Sequence, residues 1–441
     1  MRTSDLATRP RTRSVVIAVP AVALFCAYAT ASVTRHLRVR STGFDLGIFE
    51  QGIRGYAGWG APTAPLKGPG VHLLGDHFHP ILVLLVPFYR LFPGPSTLLI
   101  AQAALLAVSA VPVTRLAIRR FGTRGGSAIG AAYGLSWGMQ RAVGFDFHEI
   151  CFAVPLLAFS LECLVDRRWA AAVAWAAPLI LVKEDLPATV AAVGGYLILH
   201  GRRRLGGATV CGAVAAGLLI VEVLIPAFNA AHTYGYASGS APLSGLPQKL
   251  LTVLMVLLPT GFLAVRSPIL LLALPTLGWR FWSANPSYWG TEFHYSAVLM
   301  PIVFVAMLDS PPARSRRWLP AWCLAFAALL TTMLPLHALA DPGTWRPDRA
   351  ATATRAALHR IPDGATVAAD NRLAPQLTAR CEVYLFPFYP SAALRPTWVA
   401  IPDAPSNDPR SVAAREALPS LGYRPAASGE GVLLFTRSPD R

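Results

Sequence analysis

Apolar runs broken by short polar ends dominate this chain. They lie at 14–34, 95–118, 125–143, 150–165, 169–182, 186–200, 205–228, 249–265, 268–281, 296–309 and 318–339. Each is roughly as long as a bilayer-spanning helix, or a little short of it. The pattern predicts an α-helical polytopic membrane protein with about eleven transmembrane helices. The first run ends in Ala27-Tyr28-Ala29-Thr30-Ala31, which resembles a signal-peptidase site. The apolar runs that follow favour an uncleaved anchor.

Residues 35–94 separate the first two runs as a polar first external loop. Within it Leu46, Phe49, Ile53 and Tyr56 recur at 3-4-3 spacing, one face of a helix. That helix is too short to span and suits an interfacial position. Glu50 and Arg54 stand four apart on its other side, in the favourable order for a pair. His79-Pro80 then opens ILVLLVPFYRLF, which stops at Pro93-Gly94-Pro95 and predicts a juxtamembrane or re-entrant helix. From Asp341 the apolar runs shorten. Short strands are predicted at 366–369, 383–386, 398–401 and 432–435, and helices at 350–360 and 409–420. The chain therefore divides into a basic N-terminus (1–13), a transmembrane domain (14–340) and a small extracytoplasmic α/β domain (341–441).

Charge sets the orientation. Only 14% of the 441 residues are charged, against about 25% in a soluble domain. The net charge of +16 resides in arginines at run ends: Arg9, Arg11 and Arg13; Arg115, Arg119, Arg120 and Arg124; Arg167 and Arg168; Arg202, Arg203 and Arg204; Arg314, Arg316 and Arg317. Such clusters mark the cytoplasmic side and meet anionic lipid head groups. They predict a multi-pass protein of the cytoplasmic membrane with its N-terminus inside and C-terminus outside. No zinc finger, recognition helix or aromatic–basic motif is present, so the predicted partner is the lipid bilayer and not nucleic acid. The six cysteines lack CxxC spacing and read as small apolar residues.

Four ionisable clusters then fall on the opposite predicted side: Asp45 with Glu50; Asp76, His77 and His79; Asp146, His148 and Glu149; Lys183, Glu184 and Asp185. Ionisable groups at membrane ends usually face a cavity or each other. Carboxylates can bind a divalent ion or act as a general base. Histidines can ligate zinc or move protons, and cations can hold a phosphate. A structural role competes at each position. Asp45 follows Thr42 by three, as in a capping box. Asp76 can cap the helix near His79. Asp146 and Glu149 fit solvated loop charges, and Lys183-Glu184-Asp185 fits a self-neutralising surface patch. His77 and His79, two apart, share an ion only on a loop. The aromatic stretch 279–295, with His294 and Tyr295, suits an interface belt or a substrate groove. No GxGxxG, Walker or GxSxG motif is present, which argues against ATPase and serine hydrolase chemistry.

FDLGIFEQ (44–51), LGDHFHP (74–80), FDFHE (145–149), LVKED (181–185) and TVAADNRLAPQLTARCEVYLFP (366–387) together resemble a bacterial family of polytopic membrane proteins, the domain of unknown function numbered 2079. That family in turn looks like a distant relative of C-fold membrane glycosyltransferases, such as protein mannosyltransferases and aminoarabinose transferases. The resemblance implies a polyprenyl-phosphate sugar donor, an acidic residue in the first external loop, and a juxtamembrane helix that opens with His-Pro. Asp45 matches the acidic position and His79-Pro80 the helix opening. Asp146 and Lys183 fall near the acidic and basic residues those enzymes carry after later spans. Asp76, His77 and the Glu184-Asp185 pair depart from the pattern.

The expected activity is therefore transfer of a hexosyl or pentosyl group from a polyprenyl-phosphate sugar donor to a cell-envelope acceptor. Asp45 and Asp146 are the candidate catalytic carboxylates, with Asp45 as general base. Candidate substrate contacts are Glu50, Arg54, His77, His79, His148, Glu149, Lys183, Glu184, Asp185, His294 and Tyr295. A divalent metal (Mg, Mn or Ca) is expected at Asp45, Asp76 and His77. One alternative is a transporter or flippase for a lipid-linked or anionic solute, which needs ionisable groups at the midplane. The other is an envelope assembly factor, which would tolerate loss of the acidic groups.

Overall fold

The computed structural model describes residues 10–237, 239–311, 316–429 and 431–437. Arg9 and Arg314 of the basic clusters lie outside these residues. The molecule is mostly helical, with one small sheet near its C-terminus.

Among the described residues, three helices are long and apolar enough to cross a membrane: Val15–Leu37, Pro95–Gly134 and Arg203–Phe228. Shorter apolar helices run over Pro80–Leu91, Ile150–Val165, Trp169–Leu181, Leu186–Leu199, Leu246–Thr260, His294–Asp309 and Leu319–Thr331. Helix length therefore does not reproduce eleven spans. Proline is one reason. Pro178, Pro259 and Pro268 each sit at the start of a 3-10 turn (Ala177–Leu181, Leu258–Thr260 and Pro268–Ala273), because a residue without an amide hydrogen cannot continue the α-helical ladder.

Glycine sets the close approaches. Pro95–Gly134 is not one rod: Gly122 takes φ 69° and ψ 179°, and the chain folds back there. A Cβ on Gly126 would lie 2.4 Å from the Ile118 amide nitrogen, and one on Gly130 would lie 2.1 Å from Thr114 Oγ1. The Ser109 and Tyr133 hydroxyls close the same seam at 2.7 Å. The apolar runs 95–118 and 125–143 thus form a helical hairpin that turns within its arginine-rich segment. Leu186–Leu199 and Arg203–Leu219 pair alike: a Cβ on Gly206 would lie 2.5 Å from the Gly194 carbonyl oxygen. The first helix lies along the returning arm of the first hairpin, where the Tyr28 hydroxyl donates to the Gly134 carbonyl at 2.5 Å.

These hairpins give the bundle two chemically distinct ends. At one, Arg115 donates to Glu162 at 3.0 and 2.5 Å, Arg119 reaches Asp166 at 2.9 Å, and Arg202 lies over the Trp169 ring. The loops at 41–47, 145–149, 183–185 and 283–296 lie at the other.

The sheet has the order β2-β1-β3-β5-β4, from β1 (Thr366–Ala369), β2 (Glu382–Leu385), β3 (Trp398–Pro402), β4 (Arg424–Gly429) and β5 (Val432–Thr436). The β2-β1-β3 pairs are parallel and the rest antiparallel, with Val367 opposite both Val383 and Trp398. The four predicted strands are present. β4 was not predicted: its sequence RPAASG has no apolar alternation, and it needs none as an edge strand paired only with β5.

The predicted interfacial helix forms over Ile48–Ala57, but it is enclosed by protein. Leu46, Phe49 and Ile53 join the helical core, while Ile48 packs with Leu66, Leu73 and the sheet domain's Leu373 and Leu377. The Gln51 amide donates to the Val383 carbonyl at 3.0 Å. Arg54 does not turn to Glu50; it donates to the carbonyls of Thr378 (2.5 Å) and Cys381 (2.8 Å). Glu50 is buried and accepts from the Tyr89 hydroxyl instead.

Gly126→Val is expected to destabilise the protein by about 1–3 kcal/mol, the usual cost of overpacking, because the atoms it meets belong to the Ile118 backbone. Thermal unfolding of the detergent-solubilised protein checks this.

Candidate functional site

The site begins at a strained turn. Asp45 holds φ 65° and ψ −75°, the γ-turn region that side chains disfavour. Such a backbone costs about 1–3 kcal/mol and persists only where its surroundings over-determine it. Here they do. The Asn371 carbonyl accepts from the Gly43 amide at 2.6 Å, and Asn371 Oδ1 accepts from the Phe44 amide at 3.0 Å. Asp146 Oδ2 accepts from the Thr42 amide at 2.9 Å. The expected capping box is absent: Thr42 caps no helix amide, and its hydroxyl faces Asp146 and the Phe44 carbonyl. Asp146 also has positive φ (74°) and lies 3.5 Å from Arg35 Nε. Gln102 fixes this loop by donating to the Asp146 carbonyl and accepting from the His148 amide at 3.0 Å.

Asp45 borders a cavity of about 700 Å³. Its polar lining is Lys67, Asp76, His77, His79, His148, Lys183, Glu184, Asp185 and His294. Tyr234, Tyr236, Trp279, Trp282, Tyr288 and Tyr295 supply aromatic faces. The charges come in contacting pairs. Lys183 Nζ is 3.0 Å from Glu149 Oε1, and Glu149 Oε2 is 3.0 Å from His148 Nδ1. His77 Nδ1 meets Glu184 Oε1 at 2.6 Å, while Glu184 Oε2 accepts from the Phe78 amide at 3.2 Å. Lys67 donates to Asp76 at 2.5 Å, and the Tyr236 hydroxyl donates to Asp76 at 3.0 Å. Phe49 stands edge-on to His79 and His148, each 5.5 Å away.

This environment tunes protonation. Burial raises the Asp45 carboxyl above its ordinary range despite the opposing pull of His148, which makes it a stronger base. Burial also disfavours the His77 imidazolium, yet the Glu184 carboxylate outweighs that and raises His77. Glu184 is lowered to about 2, because His77 and Lys183 overcome its burial. Burial lowers His79 to about 4, so that ring is neutral at ordinary pH. Asp185 and Asp146 are each pushed up to about 6 by burial.

Ten of the sequence-predicted residues meet at the cavity: Asp45, Asp76, His77, His79, His148, Lys183, Glu184, Asp185, His294 and Tyr295. Four do not line it. Glu50 and Arg54 tie the Ile48–Ala57 helix to its neighbours, Asp146 supports the Asp45 turn from behind, and Glu149 lies behind His148. Asp146 and Glu149 are buried, not solvated loop charges, and Lys183-Glu184 is no surface patch. Asp76 does not cap the helix that opens at Pro80, whose N-cap is His79. The expected ion ligands separate: Asp76 serves Lys67 and Tyr236, and His77 serves Glu184. Among the described residues, Asp45, His148 and His294 each offer a donor atom that lies within 4.8 Å of those of the other two. Sequence reasoning missed Lys67 and Asn371. Lys67 is one of three lysines in the chain and shares a loop with Asp76, which was the available signal. Nothing local marks Asn371. A second cavity, of about 450 Å³, is lined by Arg35, the neighbour of Asp146, and by Arg38, Arg40 and Arg372.

A bundle of apolar helices, a sheet domain clamped on its first loop and a charged cavity lined by that loop and by loops of the bundle define a helical membrane protein with a polar site. The chain belongs to the family described as predicted membrane protein (DUF2079), whose model matches residues 35–434. No curated protein matches it.

Two outcomes follow. Asn371→Ala is expected to cost about 1 kcal/mol per lost hydrogen bond and to speed amide exchange across 41–47, measured by hydrogen-exchange mass spectrometry; unchanged exchange would mean the turn holds itself. The His77–Glu184 pair makes stability depend on pH. The raised His77 contributes fully below its unfolded value of 6.5 and fades as pH climbs through its folded value. The depressed Glu184 contributes above 4.5 and fades as pH falls toward about 2. Glu184→Gln should therefore flatten the melting temperature against pH on both limbs.

Proposed function

We propose that this protein is a membrane glycosyltransferase that moves a sugar from a polyprenyl phosphate to a hydroxyl acceptor at the extracytoplasmic face. The observation that carries this reading is the meeting of four charged segments, distant in sequence, around Asp45 in one cavity. The volume suits a sugar and its phosphate, and pockets for such ligands combine apolar walls with a few placed polar groups. Trp279, Trp282, Tyr288 and Tyr295 offer faces on which a sugar ring can stack. The short Pro80–Leu91 helix continues from His79 and exposes Val83, Leu84, Phe88 and Leu91, an apolar strip suited to the polyprenyl chain.

In the proposed reaction the acceptor hydroxyl gives its proton to Asp45 as its oxygen bonds to the anomeric carbon. The bond from that carbon to the phosphate oxygen breaks, and polyprenyl phosphate leaves with the electron pair. Lys67 and Lys183 stabilise the charge that develops on it; Arg54, committed to the sheet domain, takes no part. The membrane reading accompanies this proposal. The apolar helices would cross the cytoplasmic membrane about eleven times, with the arginine-rich end inside and the sheet domain outside.

Asp45→Asn preserves the side-chain shape and removes the base. It is expected to lower transfer from a lipid-linked sugar by about 10²–10⁴-fold, measured as product formation in proteoliposomes, with folding checked by gel filtration. Undiminished transfer would remove Asp45 from the chemistry. No transfer by the unaltered protein from any polyprenyl-phosphate sugar, alongside movement of lipid-linked solute between leaflets, would favour the transporter reading.

A further inference from the structure

The transfer chemistry leaves one cavity residue without a task. His294 is 3% exposed, and neither of its ring nitrogens has a hydrogen-bond partner among the described residues. A buried polar atom left unbonded loses its bonds to water without replacement, so an imidazole with both nitrogens unused points to a ligand. Its ring lies against that of His148, with 3.5 Å between centroids. His148 Nδ1 lies 3.0 Å from Glu149 Oε2, to which it donates in the tautomer that carries its proton there, and that tautomer leaves the Nε2 lone pair free.

We infer that Asp45, His148 and His294 form a binding site for one divalent transition-metal ion of the zinc, manganese or iron class. One donor atom from each residue lies within 4.8 Å of the other two. Metal–nitrogen and metal–oxygen bonds of about 2.0–2.2 Å would draw the donors together by roughly an ångström, as the His294 ring turns off the face of His148. Two imidazoles select against magnesium and calcium, which take oxygen shells. The magnesium and calcium expected from the sequence thus give way to an ion that accepts nitrogen, and Asp76 and His77 to the two imidazoles.

The surroundings fit such a site. Glu149 stands behind His148 as the outer carboxylate that fixes a ligand histidine's tautomer and orientation. Lys183 balances the Glu149 charge. The strained backbone at Asp45 aims a carboxylate that has two oxygens, one for the ion and one for a substrate hydroxyl. Three protein ligands leave a coordination position open to the cavity. That this position takes an oxygen of the acceptor or of the donor phosphate rests on the transferase reading; the ion site itself does not.

The test uses the full-length protein in detergent, stripped with a chelator and titrated with Co²⁺. Expected are one Co²⁺ per chain by elemental analysis after gel filtration, visible absorption from the bound ion, displacement by Zn²⁺, and no displacement by excess Mg²⁺ or Ca²⁺. His148→Ala and His294→Ala should each weaken binding about tenfold or more, while Asp76→Asn should leave it unchanged. Circular dichroism and gel filtration check folding, and His294→Gln replaces His294→Ala if the latter fails to fold. Absence of bound Co²⁺ in the unaltered protein, displacement by Mg²⁺, or equal loss in Asp76→Asn would overturn the site. Intact Co²⁺ binding without sugar transfer would count against the transferase reading alone.

Discussion

Charge taken out of water must be paired, and in this protein the pairing joins loops about a hundred or fewer positions apart. Lys183 is buried against Glu149, and Glu184 is buried against His77, while Lys67 meets Asp76 at the exposed edge of the same loop. Breaking such a buried pair by removing one partner typically costs about 3–5 kcal/mol, because the survivor is left uncompensated. The loops at 67–79, 145–149 and 183–185 are therefore mutually dependent. None can leave without stranding an ion in another, and the cavity between them is held in shape by electrostatic necessity as much as by apolar packing.

The sheet domain takes part in this arrangement. Asn371 supplies two acceptors that hold the Asp45 turn, and Gln376 donates to the His36 carbonyl at 2.9 Å, in the last turn of the first helix. Arg54 and Gln51 bind the same domain from the Ile48–Ala57 helix. A domain that composition alone marks as separate thus clamps the residue most exposed to the proposed chemistry. Strain at Asp45 survives because two segments, at Asn371 and Asp146, constrain its turn at once. Asp146, a catalytic candidate by its sequence position, turns out to be one of these constraints.

Glycine and proline decide how the helices can approach. Gly126, Gly130, Gly194 and Gly206 let two hairpins close to backbone contact, the small-residue packing that helices use where lipid supplies no hydrophobic drive. Proline-headed 3-10 turns shorten other helices. Together they keep the basic turns at one end of the bundle and deliver the acidic, histidine and aromatic loops to the other. Every residue of the candidate metal site comes from that second end.

Hydropathy runs determined the helical character of this chain, because burial of apolar length is a local property that the sequence carries openly. Short apolar segments likewise announced β1, β2, β3 and β5, while edge strand β4 stayed hidden because backbone pairing alone places it. The clustering of ionisable residues at run ends identified most of the cavity lining, since a charge in apolar surroundings is conspicuous wherever it falls. Only the tertiary structure decided which charge meets which. It sent Arg54 to the sheet domain, drew His294 to Asp45 and His148 in place of Asp76 and His77, and brought Asn371 onto the Asp45 turn. The reason is geometric: a hydrogen bond or ligand bond is fixed over a few ångströms between residues hundreds of positions apart, and no local pattern encodes that distance.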